Sequence, residues 1–114
     1  MNDPTALFPL LADVLRKRGA DLSIKADEPG NLYIEIPAAK PGGKPGFFGA
    51  VQAKKAYVAY HLMPVYENPD LLSGISDALR KKMHGKSCFR FTAVDARLFE
   101  ELDVLTATCA AAVR

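Results

Sequence analysis

The chain has 114 residues, of which 49% are hydrophobic and 25% charged, and its net charge is +2. This length and composition are typical of one globular domain, residues 1–114, with a core that needs no metal or disulfide. So small a charge makes nucleic acid an unlikely partner, and no apolar run reaches the ~20 residues of a membrane span. The first residues also lack a secretion signal, so we expect a cytoplasmic protein without a membrane partner.

The N-terminal third predicts a helix followed by a hairpin. Asp3 as N-cap and Pro4 at the first helical position begin an amphipathic helix that Gly19 ends. Two alternating runs, 21–27 and 31–37, surround a turn with proline and glycine at its centre. Alternation interrupted by such a turn predicts an antiparallel β-hairpin.

A stretch rich in Gly, Pro and Lys, residues 38–46, predicts a loop before a second hairpin. That hairpin comprises the alternating runs 47–52 and 56–62. The pattern is lost over residues 63–69, which we expect to be irregular, and residues 69–72 are expected to form a single helical turn.

The C-terminal third predicts helix, strand and helix. Ser76 is placed to cap a short helix over residues 77–83, and residues 87–92 alternate as a fifth strand. Asp95 is expected to cap a last helix that runs to about residue 113. The apolar stripe of that helix comprises Leu98, Leu102, Leu105 and Cys109, with Phe99 beside it.

Five strands joined mostly by short turns predict an α+β fold, in which helices pack on one face of a five-stranded antiparallel sheet. Strand alternation assigns nine apolar side chains to the helix-covered face: Leu22, Ile24, Leu32, Ile34, Ile36, Val58, Leu62, Phe89 and Phe91. The opposite face is expected to carry Lys25, Tyr33, Glu35, Tyr57, His61, Cys88 and Arg90. A bulge or a one-residue slip would reverse part of this assignment.

The seven side chains on the opposite face are the predicted binding surface. Tyr and Arg are enriched at interfaces because they combine a large contact area with a polar group. We expect the partner to be a small molecule, a protein or a second copy of the chain, and we expect no cofactor. The alternative is a face that is only solvated or covered by the 38–46 loop.

Catalysis is not expected, because no catalytic motif accompanies the titratable residues. His61 as a general base would need a nucleophile or an orienting carboxylate nearby. Cys88 beside Lys86 and Arg90 is either a thiol of lowered pKa or a structural free thiol. Cys88 and Cys109 are expected to be unpaired, and the spacing of cysteines and histidines predicts no metal site.

A basic cluster offers an alternative function. It comprises Arg80, Lys81, Lys82 and Lys86, which would bind nucleic acid or another anion weakly and with strong salt dependence. The glycine-rich stretch at 40–46 lacks the spacing of a phosphate-binding loop.

The chain resembles a known family from roughly Leu32 to the C-terminus. The residues concerned are Phe48-Gly49-Ala50-Val51, Lys54-Lys55, the strand at 57–62, Pro64, the segment 85–91 and Leu98. They resemble the YdhG-like family of small bacterial domains of unknown function. The resemblance implies an α+β domain and, for some members, a frataxin-like intracellular iron chaperone. Residues 4–18 contain only Asp13 as an acidic residue and end in Arg16-Lys17-Arg18, so we carry over no metal ligands.

Overall fold

The computed structural model describes residues 4–19, 22–37, 42–43 and 46–112, which form an α+β fold around one antiparallel sheet. The five strands are β1 (Ser23–Glu28), β2 (Asn31–Ile36), β3 (Gly46–Ala53), β4 (Val58–Leu62) and β5 (Cys88–Phe91). The helices are α1 (Pro4–Arg18), α2 (Met63–Glu67), α3 (Asp77–Arg80) and α4 (Ala96–Ala112), with a 3₁₀ turn at Pro69–Leu72.

The sheet is a meander in the order β1-β2-β3-β4-β5, with each strand antiparallel to its neighbour. The two long helices, α1 and α4, contact each other, and α1 lies against β3 and β4. Helices therefore cover one face of the sheet, as the sequence predicts. No described helix is long and apolar enough to cross a membrane.

The hydrophobic core lies between the sheet and the helices. Six of the nine predicted sheet residues are fully buried there: Leu32, Ile34, Val58, Leu62, Phe89 and Phe91. Leu22 and Ile36 are partly buried against the same core. The apolar stripe predicted for α4 is confirmed, since Leu98, Phe99, Leu102, Leu105 and Cys109 are all buried.

One buried polar pair lies within this core. The Tyr60 and Thr106 hydroxyl oxygens are 2.6 Å apart, and Thr106 also donates to the Leu102 carbonyl oxygen at 2.7 Å. A threonine hydroxyl has one proton. Tyr60 is therefore the donor to Thr106, and the pair connects β4 to α4.

The predicted burial of Ile24 on the helix-covered face is wrong. Its side chain is 42% exposed, although it pairs with the buried Ile34. β1 is an edge strand, and α1 lies against β3 and β4. The register also shifts between Ile24 and Ala26, which makes Lys25 the extra residue of a β-bulge and pairs Ala26 with Tyr33.

Helix boundaries differ from the prediction in two places. Residues 63–67, predicted irregular, form α2, with Pro64 in its first turn, where proline is tolerated. α3 ends at Arg80, because Met83 forms a β-bridge to Phe89. The Ser76 and Asp95 caps are confirmed by hydrogen bonds from the Leu79 and Leu98 amides. The predicted Asp3 cap lies outside the described residues, as does most of the predicted 38–46 loop.

The outer edge of β5 is hydrogen-bonded to the segment that precedes it. The Arg90 amide donates to the Lys82 carbonyl oxygen, and the His84 amide donates to the Cys88 carbonyl oxygen, both at 2.9 Å. These bonds fix the backbone of β5 from both sides. The orientation of Cys88 and Arg90 is therefore set by a paired strand.

Candidate functional site

All seven predicted binding residues lie on the sheet face opposite α1 and α4, which we call the open face. Tyr33, Ala50, His61 and Cys88 occupy one register row across β2–β5. The seven side chains are exposed or partly exposed: Lys25, Tyr33, Glu35, Tyr57, His61, Cys88 and Arg90. The structure groups them into two clusters.

The Tyr33 cluster comprises Lys25, Tyr33, Glu35 and Phe47. The Tyr33 and Phe47 rings stack with centroids 4.8 Å apart and an interplanar angle of 24°. The Lys25 ammonium lies 5.7 Å from the Tyr33 ring centroid and 3.8 Å from a Glu35 carboxylate oxygen. The positive charge of Lys25 is therefore balanced within the cluster.

Two β-bulges assemble the Tyr33 cluster. The bulge in β1 places Lys25, its extra residue, next to Tyr33. In β3 the register shifts so that Phe47 pairs with Glu35, whereas the extra residue, Phe48, is fully buried in the core. Sequence reasoning missed Phe47. Gly49 within an otherwise apolar strand was the available signal, because glycine often marks a bulge.

The Arg90 cluster comprises Lys54, Tyr57, His61, Cys88 and Arg90. The Arg90 guanidinium carbon lies 4.6 Å from the Tyr57 ring centroid, which is cation–π geometry. His61 pairs with Cys88 across β4 and β5, and Ala59 pairs with Arg90. Arg90 is therefore the diagonal neighbour of His61 on the same face.

Alanines form the base of the open face. Ala50 pairs with Tyr33 on one side and His61 on the other, and Ala59 pairs with Gln52 and Arg90. Their side chains are only 1% and 2% exposed, although neither belongs to the helix-covered core. The longer side chains around them therefore form a thin second layer over the sheet.

Two members of the Arg90 cluster, His61 and Cys88, have shifted pKa values. Burial lowers the pKa of His61, and the charges of Lys54 and Arg90 lower it further, so its imidazole is neutral near pH 7. Burial raises the pKa of the Cys88 thiol, and this outweighs the opposing effects of Arg90 and Lys54. The hypothesis of a lowered Cys88 pKa is wrong, because the thiol is half-buried between strands.

Two cations of the Arg90 cluster have no acidic partner in the described part of the chain: the ion pairs found there involve Arg16, Lys17, Arg18 and Lys25, and neither Lys54 nor Arg90. Nor does any described side chain hydrogen-bond to the His61 ring, so the carboxylate that would orient a general base is not in place. The cluster is thus a positive region beside a neutral imidazole.

The basic residues predicted as an alternative site have other contacts. Arg80 donates to the Leu72 carbonyl oxygen at 3.1 Å. The Lys86 ammonium lies 5.8 Å from the Tyr66 ring centroid. Lys81 is exposed and Lys82 is partly buried, in the turn that follows α3.

A concavity of about 690 Å³ lies elsewhere, between α4 and the segment that precedes α3. Glu101 in its wall accepts hydrogen bonds from the Ser76 amide at 2.9 Å and from the Ser76 hydroxyl at 2.7 Å. Asp95, also in the wall, caps the Leu98 amide. These two acidic groups therefore stabilise the ends of α3 and α4.

Metal binding and disulfide formation are two further chemistries open to histidine, cysteine and acidic side chains. In residues 4–19, 22–37, 42–43 and 46–112, no group of three or more His, Cys, Asp or Glu side chains is placed to hold a metal ion. Cys88 and Cys109 are free thiols, as predicted. Burial raises the pKa of Cys109 to about 12, as expected for an unreactive core thiol.

Comparison with known proteins adds no functional information. The chain matches no family model, and searches of curated proteins and of solved structures found no match. The resemblance to the YdhG-like family therefore stays a prediction.

Proposed function

We propose that this chain is a non-enzymatic cytoplasmic binding domain that holds a small molecule or a protein partner on its open face. The observation that carries this proposal is the paired arrangement of the exposed aromatic and charged side chains. Tyr33 stacks on Phe47, and Arg90 lies over Tyr57, both above buried alanines. Side chains held in this way lose little conformational entropy when a partner binds.

The chemistry of the site favours binding over catalysis. Cys88 is a thiol with a raised pKa, and His61 has no orienting carboxylate among the described residues. Two free thiols accord with a reducing compartment, which supports the cytoplasm as the location.

The experiment is a binding screen of the purified domain. Thermal shifts would be measured with nucleotides, organic acids, sugars, amino acids, ferrous iron and a short oligonucleotide. Each hit would be repeated with Tyr57→Leu/Arg90→Gln and with Arg97→Gln, a control that removes an exposed cation beside the α4 concavity. We expect the open-face variant to lose the shift and the control to keep it.

Other outcomes would contradict the proposal. Hits that survive Tyr57→Leu/Arg90→Gln and disappear in Arg97→Gln would place the function at the concavity. Iron binding that is independent of the open face would support the metal-chaperone alternative. Oligonucleotide binding that requires Lys81, Lys82 and Lys86 and weakens steeply with salt would support the basic-cluster alternative. Sedimentation of the free domain tests whether the partner is a second copy.

A further inference from the structure

We propose that the Arg90 cluster binds an oxyanion, either the phosphate or the carboxylate group of a small ligand. This inference rests on the proposed function, and it adds the chemical class of the ligand. The grounds are the charge, the geometry and the hydrogen-bonding capacity of Lys54, His61 and Arg90.

Charge is the first ground. Lys25 on the same face has Glu35 as its partner at 3.8 Å, whereas neither Lys54 nor Arg90 has a carboxylate partner among the described residues. Arg90 and His61 are diagonal neighbours on adjacent strands, and the Lys54 charge acts on both His61 and Cys88. An anion placed among them would supply the missing negative charge.

The second ground is the geometry of Arg90. Stacking on the Tyr57 ring holds its guanidinium in a defined plane, 4.6 Å from the ring centroid. A stacked guanidinium keeps the N–H groups along its edge available. Two of these groups can bind two oxygens of a phosphate or a carboxylate at once. A bound oxyanion would therefore take up a defined orientation.

His61 supplies a neutral donor next to these cations. Its ring is partly buried and makes no hydrogen bond to any side chain in the described part of the chain. Either ring nitrogen of a neutral imidazole can carry the N–H that donates. Among the described residues, the titratable groups that face His61 are Cys88 and Arg90 from β5 and Lys54 from the β3–β4 turn, and none of these is a carboxylate.

The test is an NMR titration of the ¹⁵N-labelled domain with inorganic phosphate and, separately, with acetate. We expect saturable shifts of the His61 ring and Arg90 Nε resonances, and a rise in the His61 pKa as anion is added. Arg90→Gln should weaken binding at least about tenfold, because it removes charge-assisted hydrogen bonds to the anion. Lys54→Gln should weaken it about threefold to tenfold, because it removes a nearby attractive charge.

Lys55→Gln is the matched control, because it removes the adjacent, equally exposed lysine of the same turn. Its effect should be less than about twofold, since exposed charges at a distance are screened. A dispersed spectrum confirms that each variant is folded. The phosphate and acetate arms then show which of the two groups the site prefers.

Sulfate keeps its charge between about pH 5.5 and pH 7.5 and serves as the probe of pH dependence. Protonation of His61 adds a positive charge, so wild-type affinity for sulfate should rise as the pH falls, whereas His61→Gln should show no such rise.

Two results would overturn the inference. One is an unchanged His61 pKa and no shift of Arg90 at about 50 mM phosphate or acetate, a concentration that detects even very weak binding. The other is an equal loss of anion affinity in Lys54→Gln and Lys55→Gln, which would indicate nonspecific electrostatic attraction. If the ligands found in the binding screen are uncharged and still require Tyr57 and Arg90, the proposed function stands and only the inference of an oxyanion ligand is refuted.

Discussion

The two faces of the sheet use their large side chains differently. On the helix-covered face, Phe89 and Phe91 are closed off from water, and the polar pair Tyr60–Thr106 is satisfied internally. On the open face, Tyr57 and Arg90 contact each other and stay accessible. Neighbouring residues of one strand therefore differ in role: one packs in the core and stabilises the fold, and the next lies on the accessible face. Substitutions at adjacent positions can separate these two roles.

The largest effect is expected at Phe89, compared with the next residue, Arg90. Phe89→Ala should lower the free energy of unfolding by about 3–5 kcal/mol, since it removes a fully buried ring and leaves a cavity. Arg90→Ala should lower it by less than about 1 kcal/mol, because the cation–π contact that it removes lies on the exposed side of the sheet. Urea unfolding monitored by circular dichroism measures both values. Similar losses in the two variants would contradict the division between the faces.

A smaller effect is expected at Gly49, where β3 passes close to both β4 and α1. A Cβ at this position would lie 2.7 Å from the His61 carbonyl oxygen and 3.1 Å from Leu15 Cδ1. Gly49→Ala should therefore destabilise the domain by about 2–3 kcal/mol, because the backbone of β4 cannot yield as a side chain can.

Gly74→Ala is the control for Gly49→Ala, since a Cβ at Gly74 has no described neighbour within 4 Å. It should change the free energy of unfolding by no more than about 0.5–1 kcal/mol. Thermal and urea unfolding of both variants measure the difference. A Gly49→Ala variant as stable as Gly74→Ala would show that α1 and β4 can move away from β3 without a loss of stability.

The next effect concerns the polar pair on the helix-covered face. Tyr60→Phe should cost about 1 kcal/mol, and Thr106→Val about 1–3 kcal/mol, because the latter leaves a buried Tyr60 hydroxyl without an acceptor. The double variant should lose less than the sum, since it leaves no unpaired donor. Urea unfolding of the four proteins gives the coupling energy. Strict additivity would mean that the Tyr60–Thr106 hydrogen bond contributes nothing.

The alternating pattern of the strands was enough to predict both faces, because side chains in a strand alternate with a period of two. Tyr57 and His61 lie on the open face while Val58 and Leu62 are buried, as the period alone predicts. The pattern does not show which strands the helices cover. Ile24 has the right period, yet it lies on the edge strand and is largely exposed.

The bulges account for most of what the sequence left unresolved at the site. Each bulge adds one residue, so the face of every residue beyond it depends on a local backbone choice that alternation cannot reveal. The bulge in β3 places Phe47 against the Tyr33 ring, and the bulge in β1 pairs Ala26 with Tyr33. Lys54 was not assigned to the open face for another reason: it lies in a turn, where no periodicity assigns a side chain to a face.

The smallest effect is the pH dependence of stability caused by His61. Its pKa is lower in the folded state than the ordinary value, chiefly because of burial, then because of Lys54 and Arg90. The unfolded chain therefore takes up the proton first as the pH falls below about 6.5, and the folded state loses stability through that range. Between about pH 7.5 and pH 5 the wild-type domain should lose slightly more free energy of unfolding than His61→Gln, by less than about 1 kcal/mol. Arg90→Gln should reduce the difference, because it removes one of the charges that disfavour the imidazolium, whereas Arg97→Gln should not. Equilibrium urea unfolding of the four proteins at both pH values measures these differences. A wild-type domain that gains stability relative to His61→Gln on acidification would mean that His61 has an anionic partner in the folded protein, and the positive character assigned to the Arg90 cluster would then be wrong.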